Sequence, residues 1–111
     1  MLTIEQLKQY GADTQAGLKR CMNNEAFYLR LVTMALQDAN FGKLAAAVEA
    51  DDRKSAFEAV HALKGVTGNL ALTPLYKACS EMTELLRTDK DADYSAPHQE
   101  IRRLYEALKA L

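Results

Sequence analysis

Residues 56–70 are two-faced at helical spacing. Turned at about 100° per residue, Ala56, Val60, Leu63, Thr67 and Leu70 fall on one side, mostly apolar and spaced for a core. His61, Lys64, Gly65 and Gly68 fall on the other, at i, i+3, i+4 and i+7. Such a stretch folds only if other elements cover the first face. The second face carries an imidazole, a cation one turn on, and two glycines. Each glycine costs roughly 1 kcal/mol against alanine in a helix interior. Without a Cβ, each lets another surface come close to the helix backbone. Residues 59–70 therefore read as a helix with an exposed histidine and cleared ground beside it.

The rest of the chain supplies helical partners. Thr3-Ile4-Glu5-Gln6 is a capping-box pattern that starts a short helix ending before Tyr10-Gly11. Asp13 caps a second short helix over Thr14 to Met22, and Asn23-Asn24 breaks it. A long helix follows from Glu25 to about Asn40, with Phe27 or Tyr28, Leu31, Met34 or Ala35, and Ala39 as its apolar stripe. Asn40-Phe41-Gly42 reads as a joint. A further helix runs from about Phe41 to Ala50, with Leu44, Ala47 and Val48 inward. Asp51 or Asp52 caps the His61 helix, which is expected to reach about Leu72. Thr73-Pro74 restarts the chain, threonine as N-cap and proline in the first turn, for a helix ending near Arg87-Thr88. Asp89 to Asp93 is a polar loop, and a last helix spans about Tyr94 to Leu111. The glycine and proline content is low and no β-branched alternation occurs, so the class is all-α. Short connections favour an up-and-down antiparallel four-helix bundle with a short N-terminal helical cap, one domain over residues 1–111.

Composition narrows the function classes. The formal net charge is −1, with acids and bases interleaved and no basic stripe, which argues against a nucleic-acid partner. Cys21 and Cys79 have no metal-ligand spacing to each other or to His61 and His98, and read as buried thiols. There is no basic segment followed by an apolar run and no stretch near the ~18 apolar residues of a membrane span. A cytoplasmic monomer is the expectation.

His61-Ala62-Leu63-Lys64-Gly65, continued by Gly68-Asn69-Leu70, resembles the hallmark helix of the histidine-containing phosphotransfer (HPt) family. The Gly11, Gly17, Leu18 and Arg20 pattern and the aspartates before the His61 helix are similar to those of small stand-alone members. The resemblance implies a four-helix bundle and a phosphorelay role in two-component signalling. His61 would accept a phosphoryl group from a receiver-domain aspartate, or from a hybrid histidine kinase, and pass it to another response regulator's receiver. Lys64 would offset charge on the phosphoryl oxygens, and Gly65 and Gly68 would let the receiver approach; the alternative for the two glycines is close helix packing inside the bundle. The resemblance implies neither kinase activity nor a metal or cofactor of the chain's own; Mg²⁺ would sit on the receiver. An ordinary imidazole, mostly neutral at pH 7, suits the acceptor role.

Two positions depart from the family pattern. Thr83 stands where many members place Glu or Gln, 22 residues after the histidine, so Thr83, Glu84 or Ser80 is left to orient the imidazole. Ala71 stands where a glycine often follows Asn-Leu. Arg87, one turn beyond Thr83, is placed near the phosphoryl site. Phe57 and Leu72 belong either to an apolar rim that docks the partner or to the edge of the core. His98 reads as a surface residue. The competing readings are a helical adaptor that binds signalling partners without phosphate, and a small hydrolase using His61. The adaptor would typically have lost the histidine or lysine, and no Ser-His-Asp or Cys-His arrangement supports the hydrolase.

Overall fold

A computed structural model describes residues 1–88 and 93–111. Among these the chain forms seven helices and no strand: α1 (Ile4–Tyr10), α2 (Thr14–Arg20), α3 (Glu25–Ala35), α4 (Ala39–Glu49), α5 (Arg53–Asn69), α6 (Thr73–Thr88) and α7 (Ser95–Lys109). The fold is an all-helical bundle. The expected loop residues 89–92 lie outside the described residues.

Side-chain caps set most of the starts. Thr3 and Gln6 complete the capping box of α1, and the side chains of Asp13, Asn24, Asp38 and Asp52 accept backbone N–H bonds at the starts of α2, α3, α4 and α5. Asp38 corrects the expected long third helix. That helix stops at Ala35 instead of Asn40, because the Asp38 carboxylate takes the Asn40 N–H at 2.8 Å and opens a new helix. Gly42, expected in a joint, lies inside α4, where a Cβ would meet nothing within 4 Å. The His61 helix also ends earlier than expected, at Asn69. The N–H of Ala71 bonds Gly68 O, and the N–H of Leu72 bonds Thr67 O, which reverses the chain. Thr73, expected as a cap, is the first residue of α6.

Helix α5 packs against α4 on one side and α6 on the other; α6 packs on α7, and α7 meets α4, so the four form a closed ring. Leu44, Ala56, Val60, Leu63, Leu75, Cys79, Met82, Ile101 and Leu108 fill its interior. Leu7, Tyr28 and Val32 extend the same core under the N-terminal helices. Gly17 lets α2 sit directly on the Tyr28 ring: a Cβ there would lie 2.5 Å from the Tyr28 hydroxyl oxygen. That hydroxyl donates to Leu70 O at 2.8 Å, and Arg20 donates to Gly68 O and Asn69 O at 2.6 and 3.1 Å. The end of the His61 helix is thereby held by the N-terminal segment.

His98 corrects another expectation. It is buried, only 8% exposed, because an inward stripe runs from the cap residue Tyr94 along α7 through His98, Ile101 and Leu108 at spacings of four, three and seven. Burial, together with the Arg102 charge, lowers its pKa below the ordinary histidine value.

Candidate functional site

Helix α5 turns its two faces as its sequence dictates. Ala56, Val60, Leu63 and Thr67 are buried, while His61 and Gly65 are exposed and Lys64 and Gly68 half-buried. Among the described residues His61 makes no hydrogen bond or ion pair. Its one ring contact is Phe57, four residues earlier, with centroids 5.7 Å apart and planes 8° from parallel. That spacing lies in the range of offset aromatic stacking and steadies the imidazole plane while leaving its nitrogens open. Phe57 is half-buried, so it braces the histidine from the core edge.

The two glycines separate in role. A Cβ at Gly65 would meet nothing within 4 Å, so the fold itself has no use for the missing side chain. A Cβ at Gly68 would lie 3.0 Å from Cδ1 and Cε1 of Tyr76. Gly68, expected as open ground for a partner, is a seat for the Tyr76 ring.

Other expected site residues lie elsewhere. Leu72 is 1% exposed and belongs to the core, not to a docking rim, because the turn after α5 carries it inward. Thr83 is 3% exposed and donates its hydroxyl to Cys79 O at 2.7 Å, so it is spent inside α6 and offers nothing to a partner or to the imidazole. Arg87 is exposed and holds both Glu84 carboxylate oxygens, Nε to Oε2 at 3.0 Å and Nη2 to Oε1 at 2.6 Å. These bonds, with further pull from the charges of Arg87 and Lys64, lower the Glu84 pKa. Glu84 therefore lies within electrostatic reach of Lys64 but has its oxygens committed to Arg87. Ser80 makes no hydrogen bond to His61. None of Thr83, Glu84 and Ser80 hydrogen-bonds the imidazole among the described residues; the ring that lies against it is Phe57, at the i−4 spacing that brings helical side chains together.

The model of the Hpt domain family matches residues 30–111, well over half of the chain. The chain belongs to the Hpt domain family. No curated protein and no solved structure matches it. Hpt domains are phosphotransfer carriers of two-component signalling, not kinases, and their partners are receiver domains and histidine kinases. The matched stretch of this Hpt domain contains the whole α4–α7 ring and the His61 face, and leaves α1 and α2 outside. Among the described residues no helix is long and apolar enough to cross a membrane.

Proposed function

We propose that this Hpt domain is a phosphorelay intermediate and that His61 is its phosphoryl acceptor. In this reading residues 1–111 form one domain, an up-and-down antiparallel four-helix bundle with a helical N-terminal cap, working as a cytoplasmic monomer. The single observation that carries it is an exposed imidazole with no hydrogen-bond partner beside a glycine that the fold does not require. A ring nitrogen with a free lone pair attacks the phosphorus of a receiver's aspartyl phosphate in line with the leaving oxygen. A P–N bond forms as the acyl-phosphate P–O bond breaks, and the aspartate regains its carboxylate. Onward transfer is the same exchange in reverse with a second receiver. Lys64, one turn along and free of ion pairs among the described residues, stabilises the charge on the phosphoryl oxygens in flight. Arg87 is held off by Glu84 at rest and acts as a second cation only if that pair opens.

The test is transfer of radiolabel from phosphorylated receiver domains to the wild-type protein and to His61→Gln. Acid-labile, base-stable label on wild type and none on the variant is expected. Absence of label from every receiver and hybrid kinase tried, with the protein folded, overturns the proposal. Equal labelling of the variant moves the acceptor to another residue.

A further inference from the structure

Tyr76 is 37% exposed, and its hydroxyl makes no hydrogen bond among the described residues. Its ring lies over Gly68, seven residues from His61 on the same helical face. Helix α6 thus carries an aromatic onto a face that α5 builds. The rise of a helix puts the ring about 10 Å from His61 along the axis, with the bare Gly65 between them. The ring stands as a ridge between two shallow depressions. One is lined by Asp13, Arg20, Gly68, Asn69 and Thr73, the other by Lys77, Ser80, Glu81, Glu84 and Leu85.

We infer that Tyr76 is a specificity-determining contact for the receiver domain, docking an apolar patch that lies about 10 Å from the receiver's phosphorylated aspartate. The inference rests on His61 as the acceptor, and the occupant follows from continuity. A receiver that brings its aspartate to His61 over Gly65 must cover the neighbouring turns of α5, and at Gly68, toward the Asn69 end, it meets this ring. Tyrosine suits such a post: it offers large rigid area at small conformational cost, and it is enriched among residues whose truncation weakens interfaces. Gly68 then serves docking indirectly. It lets the ring lie close against α5, so that the ridge is supported from beneath.

The experiment pairs receiver binding by calorimetry with phosphotransfer kinetics for wild type, Tyr76→Ala and Tyr76→Phe. Tyr76→Ala is expected to weaken binding and raise KM for the receiver about tenfold, with kcat within about twofold of wild type. Tyr76→Phe keeps the ring and is expected to restore both, since the hydroxyl has no partner. Unchanged binding and KM in a folded Tyr76→Ala protein overturn the inference. If Tyr76→Ala unfolds, Tyr76→Gln replaces it, because its aliphatic stem still covers Gly68 without the ring; wild-type binding by that variant overturns the inference equally. The calorimetry separates the two readings. Failure of wild type to accept label, with binding still weakened by Tyr76→Ala, removes the acceptor role of His61 and leaves the docking contact standing.

Discussion

A methyl group at position 65 would project into open space, whereas one at position 68 would press on the Tyr76 ring and one at position 17 would strike Tyr28. Only the first of these glycines is dispensable to the fold, which gives a sharp expectation. Gly65→Ala should stabilise the protein by up to about 1 kcal/mol, since alanine is the better helix former and meets no neighbour. Under the proposed relay role, the same change should slow transfer from a receiver by tenfold or more, because the methyl would stand in the path by which the receiver's backbone approaches. Urea unfolding and transfer kinetics on one preparation check both halves, and a stabilised variant with unaltered transfer would remove Gly65 from the docking surface. The His61, Lys64 and Gly65 positions were legible in the sequence because helical spacing alone puts them outward. Leu72 and Thr83 were not, since one depends on the turn made after Asn69 and the other on the rotation of α6. For Gly68 the sequence left partner approach and close helix packing both open, for a related reason: what covers it comes from another helix.

Helix ends in this chain share one device and fill it unevenly. After α1, α2, α4 and α5 the chain turns through the left-handed region at Gly11, Met22, Asp51 and Ala71, with φ of 111°, 55°, 53° and 56°, and after α2 Asn23 follows Met22 there with φ of 57°. In each case the next residue's N–H reaches back five residues to a carbonyl, as in Ala12 to Leu7, Asn23 to Leu18, Asp52 to Ala47 and Leu72 to Thr67. Only Gly11 is free of the steric cost that a Cβ incurs there. Asp51 is tied down, because its carboxylate accepts the Tyr94 hydroxyl. Met22 is 88% exposed, so it has no packing to lose. Met22→Gly should therefore raise stability by about 1 kcal/mol, read as a higher urea midpoint at constant slope. A lower midpoint would show that Met22 is not strained. Ala71 explains a departure noted in the sequence: glycine suits that position because the backbone is left-handed, and alanine holds it at some strain. Helix identity and most starts were legible from caps and periodicity. The break after Ala35 was missed because the apolar pattern runs on past it, and only the competition of Asp38 for a backbone N–H ends the helix.

The buried side chains of the described residues gather in one core cluster, with the His61 helix packed between α4 and α6. The N-terminal segment, outside the matched family stretch, grips the end of α5 through Arg20, Tyr28 and the Asp13 N–H to Ala71 O, while Tyr10 and Gln6 bond carbonyls of Leu104 and Leu111. With the end of α5 and the last turns of α7 tied to the same cap, two-state unfolding is the expectation for a chain of this size. The buried His98 makes that stability depend on pH. Its pKa is lowered in the fold, chiefly by burial and then by Arg102, so between the folded and unfolded values the unfolded chain binds more protons. Stability is then full above the unfolded value of about 6.5 and falls as pH drops from there through the folded value. A second decline belongs to the exposed carboxylates Asp52, Glu84, Asp93 and Glu100, whose hydrogen bonds to Ser55, Arg87, Ser95 and Arg103 lower their pKa; it begins only as pH falls through about 4. Urea midpoints measured from pH 8 to pH 3 should show the two declines in that order. His98→Gln removes the titrating group from α7 and should abolish the first while sparing the second. Parallel wild-type and variant curves as pH falls below about 6.5 would mean that His98 is solvated in the folded state, and the inward stripe of α7 would then have to be redrawn without it.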